Sequence, residues 1–245
     1  MRRVAVWAGV AAAVLAAVGV TAGTAGASTE RLLHGGFAPT EGPGASGRPP
    51  VVLVHGWLGS PDNFATMKAA LQADGYPVYT IRLPGQENVA NANALVGIVA
   101  GASSEHGGAK VDLVTHSMGG LSARYYLKFL GGAAKVRTYV SMGTSQHGYT
   151  GACQLPPNFG GQMCPGSAFL NQLNAGDDTP GAVAYTTLRS SRDESDTHLD
   201  GGACIGTPIP DVDHAAEPRD PVFIATVKTV LNGGCPGTYA DLPTD

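Results

Sequence analysis

The sequence predicts an α/β fold, in which a doubly wound, mainly parallel sheet carries helices on both of its faces. Short apolar runs alternate with helical patterns four times between residues 50 and 143, which is typical of βα units and a parallel sheet. The first run, Val51 to Val54, is apolar at every position, as a strand buried on both faces requires. There is no internal repeat and no second domain boundary, so we expect residues 50–245 to form a single domain.

Each expected element follows from a local pattern. Apolar residues at helical spacing, such as Phe64, Met67 and Leu71, predict the first helix, and pairs of glycines predict where two later helices end. Strands are expected at residues 51–54, 76–83, 111–116, 135–142, 184–188 and around 204–209. Helices are expected at residues 61–75, 90–105, 118–130 and 220–234.

The regular pattern loosens after Gly143. Residues 145–167, which we call the excursion, are predicted to be a surface loop that contains Cys153 and Cys164. The excursion is the only obvious cover for a site at the nearby strand ends. We therefore expect little or no lid.

The amino-terminal segment is expected to be a secretory signal peptide rather than part of the fold. Arg2 and Arg3 precede an apolar run from Val4 to Val20, and small residues follow it up to Ala27, which is the usual order of a cleaved signal. A retained membrane anchor is the alternative, but the Ala/Gly richness and the small-residue exit favour cleavage between Ala27 and Ser28. Residues 28–49 then form a lead-in segment, and we expect a secreted protein with no permanent membrane anchor.

The cysteines predict disulfide bonds. An exported chain with an even number of cysteines is expected to pair them, and four remain here: Cys153, Cys164, Cys204 and Cys235. Three connectivities are possible, and we favour the sequence-local one, Cys153 with Cys164 and Cys204 with Cys235. A zinc site is the weaker interpretation because the chain has no C-x-x-C pair, so no metal is expected.

Charge and composition exclude some partners. The chain has 15 Lys and Arg residues against 19 Asp and Glu residues, for a formal net charge of −4. It contains no block of basic residues, so nucleic acid and acidic membrane surfaces are poor partner candidates. We expect a monomer that binds no nucleic acid.

The stretch "VDLVTHSMGG" predicts a nucleophilic serine. A strand runs into Ser117, two glycines follow, and a helical pattern begins at once, as in the strand–turn–helix whose usual signature is G-x-S-x-G. Thr115 replaces the first glycine of that signature. Two backbone N–H groups are expected to bind a developing oxyanion: that of Met118 at the helix start, and that of Trp57 in the loop after the first strand. A helix N-cap is the plainer alternative for Ser117.

Three stretches together carry a family resemblance. "VVLVHGWLGSPDNF", "VDLVTHSMGG" and the late "DVDH" resemble the secreted bacterial lipases and esterases of the α/β-hydrolase superfamily, and most closely its compact lipase class 2 type. The resemblance implies a minimal α/β-hydrolase fold and an ester hydrolysis that needs no cofactor. It also implies a catalytic triad in the chain order serine, acid, histidine.

The acid and the histidine follow from that order. Asp193 matches the family spacing after the strand that ends at Leu188, and Asp196 is kept as the second candidate. His214 follows a predicted strand and precedes the last helix, which is where the family places its histidine. His198 lies on the same loop as Asp193, an awkward position for a residue that must bridge acid and serine. The expected triad is therefore Ser117, Asp193 and His214.

The expected function is a secreted serine ester hydrolase, a lipase that acts on triacylglycerols or related acyl esters, and a lipid–water interface is one place where it would meet them. A short-chain carboxylesterase, a cutinase-like polyester hydrolase, a phospholipase or an acyltransferase would use the same triad, so the fold does not separate them. A non-catalytic binding module predicts the loss of a triad member. No such loss is visible in the sequence.

Overall fold

A computed structural model describes residues 47–240 of the chain. The expected signal peptide at residues 1–27, and all but the end of the expected lead-in segment at 28–49, lie outside these residues. Between residues 47 and 240, no helix is both long enough and apolar enough to cross a membrane.

The described residues contain one seven-stranded sheet in the order β2-β1-β3-β4-β5-β6-β7. Strands β1 to β6 pair in parallel, and β7 pairs antiparallel with β6 at the edge. The predicted fold class is thereby confirmed. The strands are β1 Val51–Val54, β2 Val78–Ile81, β3 Val111–His116, β4 Val136–Met142, β5 Ala184–Leu188, β6 Cys204–Gly206 and β7 Gly237–Tyr239.

Helices cover both faces of this sheet, which explains why its central strands are apolar throughout. Along β3, Leu113 belongs to the core on one face and Val114 to the core on the other, because successive side chains of a strand point to opposite faces. Helices α2 and α3 pack on the first face, and α1 and α5 on the second. The helices are α1 Ala65–Ala73, α2 Asn88–Glu105, α3 Met118–Phe129, α4 Ala168–Leu173 and α5 Pro221–Leu231.

Some short elements differ from expectation. A 3-10 turn, Pro61–Phe64, precedes α1, and the Ser60 side chain caps this turn by accepting a hydrogen bond from the backbone of Asp62. The six-residue helix α4 and the three-residue strand β7 have no counterpart in the prediction. Elements this short have too little periodicity to stand out, because their stability comes from contacts with the rest of the fold.

Both disulfides have the pairing that the sequence favours. Cys153 and Cys164, with Cα atoms 4.6 Å apart, close the excursion on itself. Cys204 and Cys235, with Cα atoms 5.7 Å apart, tie β6 to the segment that leads into β7.

Candidate active site

The serine lies in a compressed turn between β3 and α3. Ser117 has φ 54° and ψ −132°, a conformation that is strained for any residue other than glycine. A Cβ atom on Gly56 would lie 2.7 Å from the Cβ of Ser117, and one on Gly119 would lie 2.5 Å from the carbonyl oxygen of His55. The loop after β1 therefore presses directly on this turn, as a nucleophile elbow requires.

Thr115 occupies the position where the usual signature has glycine, and the structure explains why it fits. It is a buried residue of β3 in regular register, opposite Val54 on one side and Ser141 on the other. Its hydroxyl donates a hydrogen bond to the carbonyl oxygen of Val140, at 3.1 Å. The strained backbone begins only at Ser117, so the threonine needs no left-handed conformation.

An acid–histidine pair stands beside the serine. Nδ1 of His214 lies 2.6 Å from Oδ2 of Asp193, although the two residues come from different loops, before α5 and after β5. The other carboxylate oxygen of Asp193 accepts hydrogen bonds from the backbone N–H and the hydroxyl of Ser195, at 2.9 and 2.6 Å. Both oxygens of Asp193 are thus held in place.

The electrostatics of this pair suit a base. Burial raises the pKa of Asp193, but its hydrogen bonds with His214 and Ser195 outweigh that effect and leave the pKa below the ordinary value. The same hydrogen bond raises the pKa of His214. Asp193 therefore stays ionised and fixes the imidazole with its proton on Nδ1, which leaves the lone pair of Nε2 available.

The alternative acid and histidine have other partners. Asp196 accepts a hydrogen bond from Nδ1 of His147 at 3.0 Å, and His198 pairs with Asp200 at 3.1 Å. These contacts lie at the surface. The structure brings Asp193, and not Asp196, together with His214.

A buried carboxyl that the sequence did not reveal lies next to the pair. Glu217 is fully buried, and its Oε1 accepts a hydrogen bond from the backbone N–H of Ser190 at 3.0 Å. Its Oε2 has no hydrogen-bond partner and lies 3.9 Å from Nδ1 of His214. Burial raises the pKa of Glu217 to about 8. The only sequence signal is an acidic residue three positions after the histidine.

Gly143 leaves the space in which the side chains of Asp193, His214 and Glu217 lie close together. A Cβ atom there would meet carboxylate oxygens of Glu217 and Asp193 and the Nδ1 atom of His214. Gly143 also has φ 56°, a value that glycine adopts at no steric cost. The loop after β4 thus has glycine where three titratable groups meet.

Nitrogen and oxygen atoms of His116, His214 and Glu217 lie within 4.8 Å of one another, a spacing that a metal ion would accept. However, Nε2 of His116 donates to the carbonyl oxygen of His214 at 2.9 Å, and Nδ1 of His214 donates to Asp193. A ring nitrogen that carries a proton has no lone pair for a metal. These contacts make a hydrogen-bonded cluster around His214. Burial lowers the pKa of His116 to about 3, so its ring is neutral there.

A cavity of about 340 Å³ is lined by the serine and by the acid–histidine pair. All five residues predicted as triad or oxyanion residues line it: Trp57, Ser117, Met118, Asp193 and His214. Leu121, Tyr149 and Met163 add an apolar wall, and the last two belong to the excursion. The site is thus an apolar cavity with a few polar groups at one end.

The expected oxyanion donors occupy suitable elements. Met118 is the first residue of α3, and the first N–H groups of a helix have no partner within it and lie at the positive end of its dipole. Trp57 follows Gly56, which packs against Ser117. The two N–H groups therefore belong to different segments, the loop after β1 and the start of α3, and both residues line the cavity.

Comparison with known proteins identifies the family of the chain. The sequence profile described as "Alpha/beta hydrolase family" matches residues 51–244. The chain belongs to this family. Within 92-residue segments, this α/β hydrolase is 36% identical to triacylglycerol lipases of Pseudarthrobacter phenanthrenivorans and Burkholderia plantarii, over 33% of its own length. It spans only 28% and 25% of the length of these relatives.

Solved structures of similar shape include two lipases. Aspergillus fumigatus lipase B superposes with a TM-score of 0.66 at 17% identity, over 82% of this chain and 56% of its own. The mature form of a Bacillus licheniformis lipase superposes with a TM-score of 0.65 at 19% identity, over 79% of this chain and 96% of its own. At these identities the likeness establishes the fold.

Proposed function

We propose that this α/β hydrolase is a secreted serine ester hydrolase of the lipase type, with Ser117, His214 and Asp193 as its triad. The observation that carries the proposal is the 2.6 Å contact between His214 and Asp193, in a cavity that Ser117 also lines from a strained elbow. A helix N-cap would not explain that strain, since Ser117 makes no capping hydrogen bond from its side chain.

The mechanism follows from these roles. Nε2 of His214 takes the hydroxyl proton as Oγ of Ser117 attacks the ester carbonyl, and Asp193 stabilises the imidazolium that forms. The N–H groups of Trp57 and Met118 bind the oxygen of the tetrahedral intermediate. His214 then protonates the leaving alcohol, and water repeats the cycle on the acyl-enzyme.

The cavity and its rim favour acyl lipids as substrates. Its wall is mainly apolar, which suits a fatty acyl chain. Trp57 and Tyr149 line the cavity and are exposed. Leu58, which follows Trp57, and Phe159, whose ring meets that of Trp57 edge to face, are exposed as well. An exposed apolar patch of this kind marks an interaction surface, and we assign it to the lipid–water interface where triacylglycerols gather. The related triacylglycerol lipases support the same substrate class.

Export and a monomeric state belong to the same proposal. The two disulfides fit an oxidising, extracellular environment. Mass spectrometry of the protein from the culture medium of the native host tests cleavage after Ala27, and light scattering tests the monomer.

Hydrolysis of p-nitrophenyl esters from acetate to palmitate tests the activity. We expect hydrolysis of the longer esters, with Ser117→Ala reducing it by about 10⁶-fold. His198→Ala is the matched control for His214→Ala, and it should leave the rate near that of wild type. Full activity in Ser117→Ala would show that Ser117 is not the nucleophile. Activity confined to acetate and butyrate esters would favour a short-chain esterase.

A further inference from the structure

The loop that supplies one oxyanion donor contains a strained residue. This oxyanion loop, residues 55–60, includes Leu58 at φ 52°, a left-handed conformation that costs a residue other than glycine about 1 kcal/mol or more. Leu58 is 60% exposed, so packing of its own side chain does little to hold that conformation. A hydrogen bond from the N–H of Gly59 to the carbonyl oxygen of Gly56, at 3.1 Å, closes a turn around Leu58, and the N–H of Leu58 itself is left to another group.

A glutamine from the neighbouring segment makes the required contact. Oε1 of Gln86 accepts a hydrogen bond from the backbone N–H of Leu58 at 2.9 Å. Gln86 lies between β2 and α2 and is half-buried. The contact fixes the N–H of the strained residue itself, directly after Trp57.

The excursion fixes the glutamine and the tryptophan in turn. Gln86 forms a parallel backbone bridge with Phe159. The indole N–H of Trp57 donates to the carbonyl oxygen of Phe159 at 3.3 Å, and the two rings meet edge to face with centroids 5.9 Å apart. The disulfide between Cys153 and Cys164 closes the excursion around this contact.

We propose that Gln86 is a positioning residue for the oxyanion hole: its side-chain oxygen holds Leu58 in the left-handed conformation that aims the Trp57 N–H into the cavity. The inference rests on the proposed function. Without the acceptor, Leu58 relaxes to an ordinary φ and the Trp57 N–H turns away from the oxyanion. The Trp57 N–H stabilises the transition state more than the bound substrate. Losing its hydrogen bond to the oxyanion therefore lowers kcat and leaves KM nearly unchanged.

Three variants test the role of the acceptor. Gln86→Met keeps the length of the side chain and removes the strong acceptor, whereas Gln86→Glu keeps an acceptor oxygen. Gln72→Met is the matched control, because Gln72 is exposed on α1. We expect Gln86→Met to lower kcat on p-nitrophenyl butyrate by at least about tenfold, part of the 10²–10³ that a lost oxyanion donor costs. Its KM should stay within about twofold of wild type.

Gln86→Glu should retain most of the wild-type kcat, and Gln72→Met all of it. Active-site titration with a p-nitrophenyl phosphonate counts the competent enzyme, so that kcat is given per working site. Gln86→Ala repeats the test if the methionine variant does not fold. An unchanged kcat in the variants without an acceptor overturns the proposal, and so does an equal loss in Gln86→Glu. Ser117→Ala separates the two proposals, because its full activity would refute the triad whatever Gln86 does.

Discussion

The contact between Asp193 and His214 sets the expected pH range of activity. His214 acts as a base only when neutral, and Asp193 raises its pKa, so the acidic limb of the rate profile lies at higher pH than an isolated histidine would give. We predict that Asp193→Asn lowers kcat by about 10⁴-fold and moves the acidic limb of kcat/KM to lower pH. Rate profiles between pH 5 and 9 measure both effects.

Asp196→Asn is the control for that substitution, since Asp196 pairs with the surface residue His147. Asp196→Asn should leave both kcat and the acidic limb of the kcat/KM profile unchanged. The opposite result, a large loss in Asp196→Asn with an active Asp193→Asn, would make Asp196 the acid.

Glu217 gives the stability of the fold a predictable pH dependence. Its pKa is raised to about 8 by burial, whereas in the unfolded chain it titrates near 4.3. Between these values the unfolded state releases a proton that the folded state keeps, so the free energy of unfolding falls as pH rises through this window and levels off above it. The contribution is on the order of a few kcal/mol.

Glu217→Gln should remove that slope. The amide keeps an acceptor for the Ser190 N–H and does not titrate, so we predict a higher free energy of unfolding than wild type at pH 8 and a smaller difference at pH 5. Urea unfolding at the two pH values measures this. If the variant and wild type differ in free energy of unfolding by the same amount at pH 5 and pH 8, Glu217 is not protonated in the folded protein.

The contrast between Ser117 and Glu217 shows what a sequence can reveal about single residues. Ser117 is visible because a strand, a turn and a helix must meet there, which constrains several neighbours such as Gly119. His214 is visible from its place in the chain order. Glu217 stands in the first turn of a helical segment, where an acidic residue is ordinary. Only its burial against His214 and Gly143 makes it unusual, and burial depends on the whole fold.

At the scale of elements, the close approach of α3 to β1 depends on glycine. A Cβ atom at Gly119 would lie 2.5 Å from the carbonyl oxygen of His55 and 2.7 Å from that of Val54, and backbone cannot move aside as a flexible side chain can. We predict that Gly119→Ala lowers the free energy of unfolding by about 1–3 kcal/mol, the usual cost of overpacking, and abolishes most of the activity. Urea unfolding and ester hydrolysis measure the two effects.

Gly97 is the matched control in the exposed middle of α2, where an added Cβ atom meets nothing within 4 Å. Alanine is the better helix former, so Gly97→Ala should raise the free energy of unfolding by about 0.5–1 kcal/mol. Equal effects at the two glycines would mean that α3 and β1 can separate without cost.

The bounds of an element were predicted most accurately where its local sequence pattern is strongest. Strands β1, β3 and β5 were expected at their observed bounds. Strand β1 is a continuous apolar run, and β3 and β5 are short stretches rich in apolar and β-branched residues, both of which are typical of strands. Strand β2 and strand β6 are shorter than expected. Sheet pairing defines a strand, and pairing ends where the neighbouring strand ends, which no local pattern encodes.

At the scale of the whole molecule, the two disulfides should differ in effect although both constrain the unfolded chain. Cys204 and Cys235 are 31 positions apart, and Cys153 and Cys164 are 11 apart. The loop-closure estimate gives about 4 and about 3 kcal/mol of stabilisation. The first pair joins β6, the neighbour of the edge strand β7, to the segment that leads into β7, and both of its cysteines lie outside the excursion.

We therefore predict that Cys204→Ala/Cys235→Ala lowers the free energy of unfolding more than Cys153→Ala/Cys164→Ala does, while leaving the preference among esters unchanged. The second variant should lose less stability but raise KM for long esters more than for short ones, because the excursion supplies Tyr149 and Met163 to the apolar wall. Urea unfolding and p-nitrophenyl esters from butyrate to palmitate measure the two responses. A chain-length profile that changes in the first variant but not in the second would show that the excursion does not form the acyl site.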